Sequence, residues 1–343
     1  MSPDPKEILK LFPLSARDCR LLSWKGKKAV WHVKTDQGAK ILKKSPASEP
    51  RLRFLCQAVR HLRANGAPVP ALVRARDGTD YVRLGEACYT LTDAVDGRSP
   101  EYGSPSELRR IMRTLGRFHL ASRGFQGSGD GEERSHLGRW AEGYRKHLED
   151  LEAFRRQARA AASPFDKLYL KHADEFIRQG REALETLNGD AYREWVAKID
   201  RIKNLCHQDF ASGNLILNAD GIHVIDMDSL TYDLPARDLR KIFNKVMKKS
   251  GWNESKAAVM LQAYHAAHPL NESEYRVVKT DLLFPHLFYG ISSKFFGRRM
   301  ESGWKDETAL EKLKTMIRAE TSKMEVLNRW DAIVRLAGEG KRA

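Results

Sequence analysis

The first 95 residues alternate apolar and polar positions in short runs, which is typical of β-strands with one buried face. Residues 20–45 contain three such runs, separated by turn signals at residues 25–28 and 35–38. The spacing therefore predicts three short antiparallel strands. The alternation returns near residues 80–95, where two further strands are predicted.

A helical period separates the two groups of predicted strands. Pro50 suits the first turn of this helix and Gly66 its carboxyl-terminal end, and residues 67–70 then end the helical pattern with two prolines. The apolar residues that share one helical face are Leu52, Leu55, Cys56, Val59 and Leu62.

From Ser106 onward the pattern is mostly helical, and Ser106 itself is the expected N-cap of the first helix. Long helices are predicted over residues 138–161 and 165–187, and residues 236–343 are again helical in pattern. Residues 123–135 are Gly-rich and polar, so we expect a mobile loop there.

This order of elements predicts an α+β fold of two lobes. Residues 1–95 are expected to form a small β-rich lobe with one helix. Residues 96–343 are expected to form a larger helical lobe, interrupted by one polar-rich hairpin that would carry the catalytic groups. Clefts between lobes are common ligand sites, so the chemistry is expected to lie there.

Charge and composition narrow the class of protein. The chain of 343 residues is 41% hydrophobic and 31% charged, which is typical of a globular protein. Its formal net charge of +15 at pH 7 suits an acidic or phosphorylated substrate, an anionic surface, a nucleic acid or a basic solvated surface. Lys and Arg are spread along the chain without a basic block interleaved with aromatic residues, so nucleic acid is the least favoured of these partners.

The cysteines and the apolar segments indicate the compartment. No Cys-x-x-Cys pair is present, which argues against a zinc site and a disulfide framework, so reduced thiols are expected. The amino terminus shows no signal-peptide pattern, and the apolar run that starts at Leu282 is too short to span a bilayer. We therefore expect a soluble cytoplasmic protein without a membrane partner.

The segment from Leu205 to Ser229 concentrates polar side chains around a predicted β-hairpin. Apolar residues 215–217 and 222–225 flank a good turn sequence at residues 218–221. The polar residues are His207, Asp209 and Asn214 before the hairpin and Asp226 after it.

Phosphoryl transfer is the chemistry that needs these residue types together. A carboxylate such as Asp209 can orient a hydroxyl nucleophile and accept its proton. An amide oxygen from Asn214 and a carboxylate from Asp226 are the hard ligands that Mg²⁺ prefers, with ATP phosphates completing its shell. His207 is grouped with Asp209 and is expected to support the loop by hydrogen bonding. The alternative is a plain hairpin whose loops carry turn-forming Asp and Asn.

The β-rich lobe should supply a lysine for the ATP phosphates. Lys43 and Lys44 lie on opposite faces of one predicted strand, and we expect Lys43 to face the cleft, although a solvated strand edge remains an alternative. An acidic residue of the following helix should pair with this lysine. Glu49 is the acidic residue available at the helix start, where it also suits the helix N-terminus as a favourable charge.

Two further nucleotide contacts are expected from the β-rich lobe. The turn at Gly26 would cover the phosphates through its backbone or through Lys27 or Lys28, although it offers one glycine where protein kinases carry three. Residues from Thr92 to Val95 occupy the connector after the last strand, where backbone groups would bond adenine.

The chain resembles the aminoglycoside/choline-kinase type of small kinase-like phosphotransferase, on the motifs CHQDFASGN, VIDMDS, YDLPARDL and LGRFHLAS. More narrowly it resembles the spore coat CotS family of endospore-forming bacteria, on ILKKS, SEPRLRFLCQAVRHLRANGAPVP, FDKLYLKHADEF and LCHQDFASGN. The resemblance implies a bilobal protein-kinase-like fold over residues 15–335 and an association with sporulation. It also implies that Asp228 is a second acid beside Asp226 in the metal site.

Two functions follow from the residues and the resemblance. The first is an ATP- and Mg²⁺-dependent phosphotransferase that acts on a hydroxyl of a small molecule or a spore coat component. Aminoglycosides are poor expected substrates, because a basic chain repels polycations at long range. The second is a catalytically weak or inactive kinase-like scaffold of the coat. In both cases we expect the protein in the mother-cell cytoplasm or deposited in the spore coat.

Overall fold

We describe the protein from a computed structural model, which describes residues 5–129, 131–297 and 305–339. The chain forms two compact units. The first comprises Met1–Glu101, Arg117–Ser135 and Lys203–Tyr232. The second comprises Tyr102–Gly116, His136–Ile202 and Asp233–Ala343. The polar hairpin therefore groups with the β-rich segment, whereas the sequence prediction counted it with the helical lobe.

The first unit contains two helices and nine short strands within its described residues. Its amino-terminal elements are α1 (Pro5–Leu9), β1 (Ala16–Lys25), β2 (Lys28–Thr35), β3 (Gly38–Lys44), α2 (Glu49–Ala64), β4 (Val82–Leu84) and β5 (Ala87–Asp93). Its later elements are β6 (Leu205–Cys206), a 3-10 helix (Ser212–Asn214), β7 (Leu215–Leu217), β8 (Ile222–Val224), a second 3-10 helix (Met227–Ser229) and β9 (Thr231–Tyr232).

The five amino-terminal strands form one antiparallel sheet in the order β1-β2-β3-β5-β4. All five were predicted from the period-2 alternation, and the prediction is confirmed. On one face of β2 the side chains of Trp31 and Val33 are buried, together with Leu42 of β3. The short helix α1 covers this core with Ile8 and Leu9, and it was not predicted because five residues are too few to show a helical period.

Helix α2 begins and ends where the sequence predicts. Ser48 is its N-cap, and its hydroxyl accepts a hydrogen bond from the Arg51 amide at 3.3 Å, with Pro50 in the first turn. The helix ends at Ala64, and the N–H of the C-cap residue Asn65 bonds back to the carbonyls of His61 and Arg63. Gly66 follows with φ +81°, a backbone conformation that glycine adopts without strain.

The loop over residues 123–135 lies against α2. Within its described part, the Ser128 amide donates to Gln57 Oε1 at 3.0 Å, and the Ser48 hydroxyl donates to Glu132 Oε2 at 2.7 Å. The Glu132 amide donates to the Pro50 carbonyl at 3.2 Å. These bonds join the described part of the loop to the helix.

Helices make up the second unit. They are α3 (Pro105–Ala121), whose last residues belong to the first unit, α4 (Trp140–Arg159), α5 (Pro164–Leu187), α6 (Asp190–Ile202), α7 (Ala236–Met247), α8 (Glu254–Ala267), α9 (Glu272–Leu283), α10 (His286–Phe296), α11 (Asp306–Asn328) and α12 (Trp330–Glu339). None of the helices in the described residues combines the length and the hydropathy that crossing a membrane requires.

The predicted helices over residues 138–161 and 165–187 correspond to α4 and α5. A capping box begins α5, in which Ser163 accepts from the Asp166 amide and the Asp166 carboxylate accepts from the Ser163 amide. The prediction that Ser106 is the N-cap of α3 is wrong. The helix begins at Pro105, and the Ser104 hydroxyl accepts from the Glu107 amide, because Ser followed by Pro supplies both the cap and the first helical residue.

A buried charge cluster joins four helices of the second unit. The Asp281 carboxylate in α9 is fully buried and accepts hydrogen bonds from Tyr144 Oη at 2.5 Å, Arg240 Nε at 3.1 Å and His286 Nε2 at 3.0 Å. Arg237 Nη1 lies 3.6 Å away. Burial alone would raise the pKa of Asp281, but the two guanidinium groups outweigh it and hold that pKa well below its usual range.

Candidate active site

The polar hairpin has the geometry that its sequence predicts. Strands β7 and β8 pair in antiparallel register from Leu215 to Val224, and the turn between them is stabilised by Asn218. The Asn218 side-chain oxygen accepts from the amides of Asp220 at 3.0 Å and Gly221 at 3.2 Å. The loop that carries Asp209 enters this hairpin, and the segment that carries Asp226 leaves it.

His207 connects the two ends of this loop. Its side chain is fully buried, and its Nδ1 accepts a hydrogen bond from the Asp209 amide at 3.2 Å. Its Nε2 lies 3.1 Å from the Ile225 carbonyl, which can only accept. These partners assign a neutral imidazole protonated at Nε2. The geometry therefore supports the expected loop-holding role of His207 more than direct chemistry.

Asp209 and Asn214 contact each other directly. The Asn214 amide nitrogen donates to Asp209 Oδ2 and to the Asp209 backbone carbonyl, at 2.9 Å in both cases. Asp209 is exposed to solvent. Because Asn214 uses its nitrogen in these bonds, its amide oxygen is the atom that can coordinate a cation.

Two residues next to the chemistry have strained backbones. Gln208, which precedes Asp209, has φ +67°, and Asp226 has φ +64°. Only a few per cent of residues other than glycine adopt this left-handed region, and such strain concentrates at functional sites. The strain at these two positions is consistent with a site that aims Asp209 and Asp226.

Two lysines of the sheet bind the two acids that follow the hairpin. Lys28 Nζ lies 2.9 Å and 2.8 Å from the two oxygens of Asp226 and 3.0 Å from Asp228 Oδ2. Lys43 Nζ lies 2.9 Å from Asp226 Oδ1 and also bonds to Asp228 Oδ1. All four side chains are partly buried, with side-chain exposures between 19% and 30%.

These contacts set the charge state of the site. Burial alone would raise the pKa of Asp226, but Lys43 and Lys28 outweigh it and hold that pKa well below its usual range. Burial lowers the pKa of Lys28, and its bonds to Asp226 and Asp228 reverse this effect and leave it raised. Asp226 is therefore ionised and Lys28 is protonated at neutral pH.

The structure shows which of Lys43 and Lys44 contacts the acids of the hairpin segment. Lys43 faces the hairpin, whereas Glu49, its expected partner, bonds to other residues. Glu49 accepts from Tyr81 Oη at 2.8 Å and forms an ion pair with Arg83 at 3.2 Å. The expected pair between Lys43 and Glu49 is therefore not formed. The Lys43 ammonium bonds to Asp226 and Asp228 instead, and Glu49 pairs with Arg83 of β4.

A cavity of about 600 Å³ adjoins these groups. Its apolar walls come from β2, β3, α2 and the hairpin, and its connector side includes Thr92 and Val95. The amides of Asp93 and Ala94 bond to the carbonyls of Ala71 and Ala39. Gly26 turns the chain between β1 and β2 with φ +56° and is not part of the cavity wall. The lining residues that carry charge or amide groups are Arg20, Lys28, Lys43, Asp93, Asp96, Asn214, Asp226 and Asp228.

Arg51 is a residue of the site that the sequence did not reveal. It is buried in α2, with 1% exposure, and its guanidinium donates to the Leu230 carbonyl and to the Glu132 carbonyl at 3.2 Å. Leu230 directly follows the 3-10 helix that carries Asp228. Burial lowers the pKa of Arg51 to about 10. Arg51 thus fixes α2 to the segment that carries Asp226 and Asp228. From the sequence we expect α2 to contact the site through an acidic residue, whereas in the structure this arginine makes the contact.

We expect the substitution Arg51→Met to lower the free energy of unfolding by about 2–3 kcal/mol, because the buried Leu230 carbonyl and the partly buried bond to Glu132 lose a charged donor. Urea unfolding followed by circular dichroism measures this change. The matched control is Arg53→Met on the same helix, where the side chain is 39% exposed and its ion pair with Glu49 spans 3.8 Å. An equal loss in both variants would contradict the role assigned to Arg51.

The fold and the site define a kinase-like phosphotransferase class, and the comparisons agree. The chain belongs to the phosphotransferase enzyme family, which it matches over residues 18–275. It is 35% identical over 327 residues to "Spore coat protein S" of Bacillus subtilis (strain 168), which covers 94% of this chain and 92% of that protein. The predicted resemblance to both groups is confirmed.

Solved structures of the same fold are also similar. An aminoglycoside phosphotransferase from Alicyclobacillus acidocaldarius subsp. acidocaldarius DSM 446 superposes with a TM-score of 0.83 at 20% identity, over 98% of this chain and 97% of that chain. An amicoumacin kinase in complex with AMP-PNP, Ca²⁺ and its ligand gives a TM-score of 0.58 at 13% identity, over 95% and 92% of the two chains. These likenesses confirm the predicted kinase-like fold.

Proposed function

We propose that the protein transfers the γ-phosphoryl group of ATP, with Mg²⁺, to a hydroxyl acceptor. The observation that carries this proposal is the placement of Asp209, Asn214 and Asp226 on one hairpin opposite Lys43. The three hairpin residues lie within one segment of sequence, and the fold brings the distant Lys43 onto Asp226, beside an exposed carboxylate and an amide oxygen.

The cavity suits the nucleotide. Its walls are mainly apolar, as a purine base requires. The two lysines that bond to Asp226 and Asp228 form a charged cluster in its wall, and we assign this cluster to the phosphates. The first connector amide without a hydrogen bond among the described residues is that of Val95, because Asp93 and Ala94 are already bonded. We assign the Val95 N–H and the neighbouring backbone from Thr92 onward to the adenine edge.

The acids fit a magnesium ion. Asp226, Asp228 and the Asn214 amide oxygen are hard oxygen donors within one segment, and phosphate oxygens and water would complete six ligands. When bound there, the ion would neutralise charge on the phosphates and hold them in line with the acceptor.

The chain's own residues carry the remaining steps. Asp209 Oδ accepts the proton of the acceptor hydroxyl while the hydroxyl oxygen bonds to the γ-phosphorus of ATP. The bond between the γ-phosphorus and the bridging oxygen then breaks, and this oxygen leaves with ADP. Asn214 holds Asp209 through its bond to Oδ2, and His207 holds the loop from the other side. Lys43 supplies positive charge to the phosphates that leave. The products are a phosphate ester and ADP.

The relative at 35% identity supports a place in spore biology. That relative is named as a spore coat protein, so we propose that this protein acts in the mother cell or within the coat. The acceptor would then be a coat component or a small molecule. The AMP-PNP and Ca²⁺ in the amicoumacin kinase complex are compatible with a nucleotide and a divalent cation here.

A second candidate function is a kinase-like coat scaffold with weak or no transfer. The observations that favour it are the turn with the lone Gly26 and the absence, in the described residues, of an ion pair between Lys43 and Glu49. Both features bear on nucleotide affinity rather than on the fold.

Calorimetric titration of Mg·ATP separates the two functions. We expect the wild type to bind ATP only in the presence of Mg²⁺. Asp226→Asn should bind Mg·ATP at least about tenfold more weakly than the wild type, because a charged ligand group is lost. Asn tolerates the left-handed backbone at this position, so the variant should fold. Absence of binding to the wild type would favour the scaffold.

A further inference from the structure

Lys28 is a charged residue of the site to which the steps above give no role. It begins β2, directly after the turn at Gly26, and its ammonium bonds to both oxygens of Asp226 and to Asp228. These are the carboxylates assigned to the cation. An ammonium group and a divalent cation compete for the same carboxylate oxygens, so Lys28 and the cation cannot both hold them in full.

We propose that Lys28 is an exchange lysine, a proposal that rests on the proposed function. Before the ligand binds, Lys28 holds Asp226 and Asp228 in place of the cation. When the cation and the nucleotide enter together, its ammonium moves from the carboxylates to the polyphosphate. The preferred ligand is therefore the complex of a divalent cation with a nucleoside triphosphate, rather than either component alone.

The charges in the site favour this exchange. Two ammonium groups, from Lys28 and Lys43, balance the two carboxylates of Asp226 and Asp228. A free cation must displace both lysines and leaves their charges without partners. A metal–nucleotide complex remains anionic, so it gives each displaced lysine a new partner in its phosphates.

The position of Lys28 permits the movement. Its four-carbon stem is flexible, and it lines the same cavity as Lys43. It also stands beside the turn that offers a lone glycine for phosphate contacts. A lysine that reaches the phosphates would attract them by its positive charge, and this would compensate for the backbone contacts that a turn with one glycine does not provide.

The direct test measures Mn²⁺ binding without nucleotide, by the electron paramagnetic resonance signal of the free ion. We expect Lys28→Gln to bind Mn²⁺ about tenfold more tightly than the wild type, because one competing positive charge is removed. Its affinity for Mg·ATP, measured by calorimetry, should fall by about tenfold, since a charged phosphate contact is lost. These opposite changes are the signature of the exchange.

Three variants serve as controls. Lys25→Gln removes the same charge from the exposed residue that pairs with Lys28 across the turn, and it should leave Mn²⁺ affinity unchanged. Lys28→Arg keeps the charge and should bind Mn²⁺ as weakly as the wild type. Lys28→Met is a second neutral variant, which should repeat the result of Lys28→Gln, and it decides the test if Lys28→Gln unfolds.

Unchanged Mn²⁺ affinity in the neutral Lys28 variants would overturn the proposal, as would an equal gain in Lys25→Gln. Tighter Mn²⁺ binding with unchanged Mg·ATP affinity would also overturn it, because no transfer to phosphate would then occur. If the wild type fails to bind nucleotide, the proposed function is wrong, and the exchange with it. A gain in Mn²⁺ affinity would then identify Lys28 as a static partner of the two acids.

Discussion

Replacing Asp209 by Asn should lower the rate of phosphoryl transfer by about 10³-fold, because a positioned general base contributes 10²–10⁴-fold to such reactions. The affinity for Mg·ATP should remain within about twofold of the wild type. The reason is geometric: Asp209 bonds to Asn214 and is not part of the cavity wall, whereas the proposed nucleotide contacts come from other residues. The measurement is ADP formation in a screen of hydroxyl acceptors, beside calorimetric titration of both proteins.

The matched control is Asp220→Asn, at the exposed tip of the same hairpin. It makes the same chemical change within the same unit, so its rate should equal that of the wild type. Undiminished transfer by Asp209→Asn would remove Asp209 from the mechanism. A parallel loss of nucleotide affinity would instead indicate that the substitution disturbs the loop held by His207.

The second large effect is expected on stability. Asp281→Asn should lower the free energy of unfolding by about 3–5 kcal/mol at pH 7, because it leaves two largely buried guanidinium groups short of a counter-charge. Arg240 and Arg237 both lie beside this carboxylate, which is fully buried. Urea unfolding at constant temperature measures the difference between the two proteins.

The pH dependence of this difference has a defined sign. The pKa of Asp281 in the folded protein lies well below that of an unfolded Asp, which is about 3.9. The carboxylate therefore stabilises the fold fully above about pH 4, and this contribution is lost as the pH falls further. The gap between the wild type and Asp281→Asn should be constant from pH 7 to pH 5 and should shrink in acid.

A surface substitution provides the control for Asp281. Asp331 is 81% exposed, and its ion pair with Lys279 spans 3.9 Å. Asp331→Asn should change the free energy of unfolding by less than about 1 kcal/mol, as is usual for exposed pairs. A comparable loss in both variants would show that net charge, and not the buried cluster, causes the effect.

The fold was predictable where the pattern is local. The strands of the sheet, helix α2 and the hairpin each leave a periodic signal and a turn signal within about 20 residues of sequence. Helix α1 was missed because it is one turn long. The N-cap of α3 was misplaced by two residues because a serine stands on each side of Pro105, and either serine could serve as the N-cap.

The candidate site was predictable where chemistry depends on residue type at close spacing. Asp209, Asn214 and Asp226 fall within one segment, and the structure brings Asn214 onto Asp209. The contact between Lys28 and Asp226 joins residues 198 positions apart, and that between Arg51 and Leu230 spans 179 positions. Local sequence carries no signal for such pairs. For the same reason Glu49 was given a lysine partner, when β4 supplies an arginine.

The left-handed backbone of Asp226 has a consequence for how this family diversifies. Asparagine and glycine are the residues that best tolerate such a conformation, and each is one base change away from aspartate in the genetic code. A single mutation can therefore remove the carboxylate while the chain keeps its shape. Descendants that retain the fold but lose the acid are within easy evolutionary reach, and residue 226 is the position at which to look for them.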